Sequence, residues 1–190
     1  MISVRRNLWL AVAVVAVGQA AVLGWMIWDR VALLSHGREI VLEVVPVDPR
    51  SLFRGDYVVL GYDVSRLELP PGTEPPQVGA TYYVTLKKSQ GDTWQLVGGA
   101  TEAPSETTPD EVVLKGRVEY AARATPERPA QVGIHYGIES FFVPEGTGRE
   151  LEKMVGEKKL SALIAVDKSG NAAIKGLLSE GKRVYEEPLL

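Results

Sequence analysis

Cysteine is absent from this 190-residue chain, and only two histidines, His36 and His135, are present. Without cysteine the chain has no disulfide framework, no thiol nucleophile, no cysteine-based zinc site and no cysteine for a lipoprotein anchor. The two histidines are too few and too far apart in sequence to define a metal site by themselves. We therefore expect neither a bound metal nor a cofactor.

Blocks of like charge are also missing. The 21 basic and 24 acidic residues give a mild net charge of −3, which does not indicate a nucleic-acid-binding surface. Neither a phosphate-binding glycine loop nor a nucleophile elbow occurs in the sequence. The chain is long enough for one ordinary domain and a tether. These absences favour a non-enzymatic role.

A long apolar run lies near the N-terminus. Residues 8–28 contain no charged side chain, and Gln19 is their only clearly polar member. An α-helix of this length crosses the roughly 30 Å hydrocarbon core of a bilayer. Two arginines precede the run and two tryptophans lie at its end: Arg5, Arg6, Trp25 and Trp28. This pattern predicts a single-pass anchor within residues 1–28, a cytoplasmic N-terminus, and a C-terminal domain on the periplasmic or extracellular side of the cytoplasmic membrane.

The alternative is a cleaved signal peptide, because Gly18-Gln19-Ala20 has the small-x-small form of a cleavage site. The apolar run continues for eight positions beyond Ala20, which is longer than a cleaved peptide requires. We therefore favour a retained anchor, and the bilayer is then the first predicted partner of the chain.

The rest of the chain is predicted to be a β-rich domain. Residues 29–37 are expected to form a juxtamembrane helix or linker, and residues 38–190 the domain. β-Branched and alternating segments predict about nine or ten strands, among them residues 39–47, 57–62, 81–88, 93–98, 112–120, 132–138, 160–166, 172–178 and 183–186. One short helix is predicted after the capping box formed by Thr147 and Glu150. Alternation without repeated strand-helix units predicts an antiparallel β-sandwich or a partly open β-barrel.

Two acids, two arginines and two tyrosines are concentrated on one loop and the strand that follows it: Asp48, Arg50, Arg54, Asp56, Tyr57 and Tyr62. The arginines carry forked donors suited to carboxylate or phosphate groups, so the cluster is a candidate binding site for a polar or anionic ligand. In the structural interpretation the acids contact the backbone of the turn, the arginines pair with those acids, and the tyrosines fill sheet positions. The sequence alone favours the structural interpretation.

A second segment adds Tyr136, Glu139 and Glu145 to the candidate binding set. If Glu139 faces an arginine of the first cluster, two distant segments form one charged site, and Asp56 with Glu139 becomes a candidate hydrolytic pair. Otherwise the two glutamates are loop acids near a helix start, where negative charge is favourable. His135 is expected on the solvent-facing side of its strand.

The octapeptide Gly55-Asp56-Tyr57-Val58-Val59-Leu60-Gly61-Tyr62 carries all five letters of the signature of the bacterial GDYXXLXY-motif family, which this chain resembles. Two later blocks, one beginning Tyr136-Gly137-Ile138-Glu139 and one beginning Ala165-Val166-Asp167, are similar to further signatures of the family and occur in the same order. The resemblance implies a membrane-anchored extracytoplasmic domain that is associated with multi-spanning membrane proteins. It implies no particular activity.

These observations lead to two functional expectations. The first is a membrane-anchored extracytoplasmic β domain that serves as a binding or accessory subunit for another membrane or envelope protein. The second is an extracytoplasmic small-ligand-binding or hydrolytic site, built from the charged cluster at residues 48–62 together with Glu139.

Overall fold

The N-terminal apolar run forms one helix in the computed structural model, which describes residues 2–46, 57–89, 93–143, 148–157 and 159–186. Helix α1 spans Ile2–His36. Its segment Trp9–His36 is long and apolar enough to cross a membrane, a property that a signal sequence shares, and none of the apolar window is buried by the rest of the chain. Residues 29–36, expected as a juxtamembrane helix or linker, continue α1 without a break.

Twelve strands follow in the described part of the chain, which corrects the estimate of nine or ten. Their bounds are β1 Arg38–Val45, β2 Tyr57–Val59, β3 Gly61–Tyr62, β4 Arg66–Glu68, β5 Thr81–Lys88, β6 Trp94–Ala100, β7 Glu111–Ala122, β8 Gln131–His135, β9 Ser140–Phe142, β10 Leu160–Val166, β11 Ala172–Ser179 and β12 Lys182–Glu186. A 3₁₀ turn occupies Asp63–Ser65 and helix α2 occupies Gly148–Gly156. Helix α2 lies where it was predicted, although Thr147 of the capping box is outside the described residues.

The strands form two five-stranded antiparallel sheets and one separate pair. The first sheet has the order β12-β11-β10-β1-β3, the second has the order β4-β8-β7-β5-β6, and the pair is β2-β9. A parallel bridge between Val41 and Thr93 joins the sheets. A second link is the hydrogen bond from the Lys115 N–H to the Gly170 carbonyl (2.8 Å). The prediction of an antiparallel sandwich or partly open barrel with one short helix is therefore confirmed.

Side chains from both sheets fill one hydrophobic core. Successive strand residues face opposite sides, so the apolar positions of each strand turn inward together. Strand β5, for example, buries Tyr82, Val84 and Leu86, and helix α2 adds Leu151 and Val155. Burying one such large side chain contributes about 1.5–3 kcal/mol relative to leaving it exposed.

The strand predicted at residues 57–62 is in fact two strands in different sheets. Strand β2 pairs with β9, whereas β3 pairs with β1. The break is at Leu60, whose N–H donates to the carbonyl of Glu139 (2.9 Å). Alternation along residues 57–62 nevertheless groups Val58, Leu60 and Tyr62 on one face, and all three are buried.

Simple alternation along residues 112–120 places Tyr120 on the same face as Val118, but in the structure Val118 is buried and Tyr120 is exposed. The register of β7 against β8 shifts between these two residues, so that Tyr120 lies opposite Gly133. A Cβ atom on Gly133 would lie 2.0 Å from the Tyr120 ring. The bulge therefore leaves Tyr120 42% exposed and makes glycine necessary beneath its ring.

The end of α1 is attached to the β domain. The last part of the helix lies against β10 and β11, and Leu34 is buried there. The Gly37 N–H donates to the carbonyl of Leu33 (2.8 Å), so the helix passes into β1 within two residues. The C-terminal end of α1 therefore packs against the β domain, and only Gly37 lies between the helix and β1.

Candidate functional site

The two sequence segments that carried the candidate residues meet in the fold. Strand β2, at the start of the described part of the octapeptide, pairs antiparallel with β9 of the second segment. Phe142 and Ser140 lie opposite Tyr57 and Val59 respectively. The described part of the octapeptide and the second segment are therefore neighbours, although eighty residues lie between Val59 and Ser140 in sequence.

Two buried tyrosines connect the segments by reciprocal hydrogen bonds. The hydroxyl of Tyr62 donates to the carbonyl of Ile138 (2.8 Å), and the hydroxyl of Tyr136 donates to the carbonyl of Val64 (2.5 Å). Each segment thus supplies one donor and one acceptor to the other. Burial, and secondarily the charge of Glu139, raises the pKa of both phenols well above their usual value, so both remain protonated donors.

Glu139 holds the turn between β8 and β9. Its Oε1 accepts the N–H of Tyr136 (2.6 Å), and its Oε2 accepts the N–H of Gly137 (2.8 Å). Gly137 has a φ of 84°, a left-handed conformation that favours glycine. The Nε2 of His135 lies 3.2 Å from Oε2 of the same carboxylate. The carboxylate is therefore fully engaged in shaping the turn that leads into β9.

A cleft of about 410 Å³, which we call the motif cleft, opens beside this junction. Its walls come from the end of β1, residues 59–66, the bulge of β7 and β8, and the β8–β9 turn. Polar side chains at its wall are Asp63, Ser65, Arg66, Glu119, His135, Glu139 and Ser140. Its volume is in the range of small-molecule sites.

Several polar groups of the motif cleft have no partner among the described residues. The Oγ of Ser65 is buried and has no hydrogen bond there. A buried hydroxyl without a hydrogen-bond partner destabilises the folded protein unless water or a ligand supplies the bond. Asp63, Arg66 and Glu119 form no ion pair with any described residue, so unpaired charges of both signs line the cleft. The described residues include no group of three or more histidine, aspartate or glutamate side chains placed to hold a metal ion.

Of the nine candidate residues, the structure brings three together: Tyr62, Tyr136 and Glu139. For Tyr57 the structure describes the backbone, and this residue is the first of β2. The other five candidates lie outside the described residues: Asp48, Arg50, Arg54, Asp56 and Glu145. His135 is on the solvent side, with 55% of its side chain exposed, although it also contacts Glu139.

Sequence reasoning missed several residues at the wall of the motif cleft, among them Asp63, Ser65, Arg66, Glu119 and Tyr120. Ser65 and Arg66 follow the octapeptide directly, so their closeness to it was a usable signal. Glu119 and Tyr120 come from β7, and nothing local to their sequence indicated that a bulge would turn them toward the octapeptide.

Comparison with curated proteins gave no match, and neither did comparison with solved structures. The sequence model of the GDYXXLXY protein family matches residues 19–177, which is most of the chain. That range includes the octapeptide, the β8–β9 turn and the hairpin between β10 and β11. The chain therefore belongs to the GDYXXLXY protein family.

Proposed function

We propose that this protein is a single-pass β domain of the cytoplasmic membrane, placed on the extracytoplasmic side, and that it acts as a binding or accessory subunit for another membrane or envelope protein. The proposal of a partner protein rests on one observation. Gln19 lies in the middle of the apolar run, and its side chain has no hydrogen-bond partner in the described residues. Its amide has two donors and one acceptor oxygen. In a bilayer core such a group is stabilised by a hydrogen bond from another transmembrane helix.

The surroundings of Gln19 suit helix packing. A shallow groove of about 320 Å³ borders it and is lined by Ala11, Val12, Val15 and Ala16. The small side chains of Ala11 and Ala16 at this face let a second helix approach closely. The packing of α1 against β10 and β11 supports an accessory role, because a partner that holds the helix would then also hold the β domain near it.

The location is tested by a reporter. We expect alkaline phosphatase fused after Leu190 to be active, and a fluorescent protein fused at the same position to be dark, because two arginines precede the apolar run. Mass spectrometry of the membrane-bound chain should show an uncleaved N-terminal segment. A fluorescent, phosphatase-inactive fusion would overturn the extracytoplasmic location, and cleavage after Ala20 would overturn the anchor.

The partner is tested at Gln19. We expect Gln19→Leu to keep the chain in the membrane and to lower the yield of crosslinked partner about 3- to 20-fold, the range that corresponds to one interhelical hydrogen bond in a bilayer. The measurement is crosslinking in intact membranes followed by affinity purification of the full chain.

The matched control for this experiment is Val14→Leu, which introduces the same side chain on the opposite side of α1, about 140° around the helix from Gln19. We expect its crosslinking yield to equal that of the unchanged chain. Equal yields for all three proteins would contradict the proposal. Crosslinks between copies of this chain alone would also contradict an accessory role.

A second candidate function is favoured by the unpartnered Ser65 hydroxyl: the motif cleft binds a small polar ligand. Asp63 and Glu119 would face its cationic groups, and Arg66 its anionic groups. Hydrolysis by Asp56 with Glu139 is less well supported, because both oxygens of Glu139 already accept backbone N–H groups. Substitution of Glu139 separates this candidate from a purely structural role, because only a structural carboxylate is needed for stability.

A further inference from the structure

A groove of about 360 Å³ lies between β1 and the start of β6. We call it the edge groove, and its walls are residues 42–43, 62–64 and 93–96. We propose that the edge groove binds an extended segment of another protein, that this segment carries lysine or arginine, and that it adds to β6 as a further strand. This inference rests on the accessory role proposed above, but it does not depend on the helix contact at Gln19.

Strand β6 is the last strand of the second sheet and pairs with β5 on one side. On its other side no described strand forms a ladder with it, and a single parallel bridge joins Thr93, just before β6, to Val41. Beyond this bridge β1 pairs with β3, and the edge groove separates β1 from β6. Near the end of β6 the side chain of Leu67 approaches Gly99, so we place the added strand along the first half of β6.

Strand β6 lacks the features that protect the other sheet edges. Strand β3 is two residues long, and the edge strands β4 and β12 carry exposed charged side chains: Arg66, Glu68, Lys182, Arg183 and Glu186. The seven residues of β6 include no charge, and its Leu96 and Val97 are 38% and 58% exposed. An open apolar edge pairs readily with another chain, and charged side chains normally prevent this pairing. The edge of β6 therefore suits a partner strand, whose backbone would supply the hydrogen bonds of a ladder.

The charge of the edge groove indicates what kind of segment it binds. Its two charged side chains are both acidic, Glu43 and Asp63, and neither forms an ion pair with a described residue. The nearby Arg38, which lies against the Trp94 ring, donates to the carbonyls of Pro109 and Glu111 instead. Lysine or arginine in an added segment would complement the two carboxylates. A second copy that paired through its own β6 would not, because that strand carries no basic side chain.

The test measures the fluorescence anisotropy of labelled seven-residue peptides that are added to the full chain in non-ionic detergent. One peptide alternates valine with lysine, and its counterpart has glutamate in place of lysine. We expect the lysine peptide to bind about fivefold more tightly, because two exposed carboxylates attract one peptide and repel the other. Methylation of its backbone nitrogens should weaken binding about tenfold, because a methylated strand cannot donate hydrogen bonds to β6.

Charge reversal in the edge groove identifies the site. We expect the double variant Glu43→Lys, Asp63→Lys to favour the glutamate peptide about fivefold, and the milder variant Glu43→Gln, Asp63→Asn to bind both peptides equally. The matched control is Glu119→Lys, Glu127→Lys, which changes the net charge equally at two exposed acids outside the edge groove. Asp63 and Glu119 both line the motif cleft, so this control also tests for binding there. The control should keep the preference of the unchanged chain.

Failure to bind the lysine peptide, equal affinity for the two peptides, or a methylated peptide that binds as tightly as its parent would overturn the proposal. A control variant with reversed preference would move the site away from the edge groove and overturn it as well. A chain that sediments as a dimer and binds no peptide would assign the edge to a second copy. The Gln19→Leu chain should bind the lysine peptide normally, so loss of the helix contact and loss of the edge groove are separate results.

Discussion

Removing the hydroxyl of Tyr62 or of Tyr136 is expected to lower the free energy of unfolding by about 1–2 kcal/mol in each case. Tyr62→Phe leaves the carbonyl of Ile138 without its donor, and Tyr136→Phe does the same to the carbonyl of Val64. Both tyrosines are buried, so water cannot readily replace the lost bond. The measurement is urea unfolding of the full chain in non-ionic detergent, followed by circular dichroism of the β domain.

The double variant Tyr62→Phe, Tyr136→Phe shows whether the two hydrogen bonds stabilise the fold independently or are energetically coupled. If each bond holds the segments independently, the losses add to about 2–4 kcal/mol, a large part of the 5–15 kcal/mol typical of a domain. Coupling between the bonds would appear as a departure from additivity. Tyr83→Phe is the control, since no hydrogen bond of its hydroxyl is present in the described residues. A double variant as stable as the unchanged chain would show that the tyrosines do not join the segments.

The sequence predicted those features that depend on near neighbours. Alternation placed Val58, Leu60 and Tyr62 on one face, and all three are buried. Leu151 and Val155 are four residues apart, which places them on one face of a helix, and both pack into the core. Short apolar segments separated by turns that contain glycine predict hairpins, and β10, β11 and β12 pair in this way.

The candidate site was predicted less completely, because its geometry depends on distant partners. Tyr62 was recognised by its motif, but its acceptor lies 76 residues away, and the acceptor of Tyr136 lies 72 residues away. No periodicity within one segment identifies such a partner. The division of residues 57–62 between two sheets has the same origin, since the N–H of Leu60 turns to the distant Glu139 carbonyl instead of continuing a ladder.

Replacing Glu139 is expected to have a second large effect on stability. Glu139→Gln keeps the size of the side chain but puts an NH₂ group where a carboxylate oxygen accepts a backbone N–H. We expect a loss of about 2 kcal/mol, because hydrogen bonds to charged groups contribute about 1.5–3 kcal/mol and this side chain is partly reached by water. Glu139→Ala should lose at least as much. Urea unfolding of the full chain measures both variants.

Glu119→Gln is the matched control, since this carboxylate also faces the motif cleft but has no partner in the described residues. We expect its stability to change by less than about 0.5 kcal/mol. A Glu139→Gln chain as stable as the Glu119→Gln chain would contradict the role of Glu139 in the β8–β9 turn. In that case the carboxylate would be available to the motif cleft, and the small-ligand function would become the better explanation of why the two motif segments meet there.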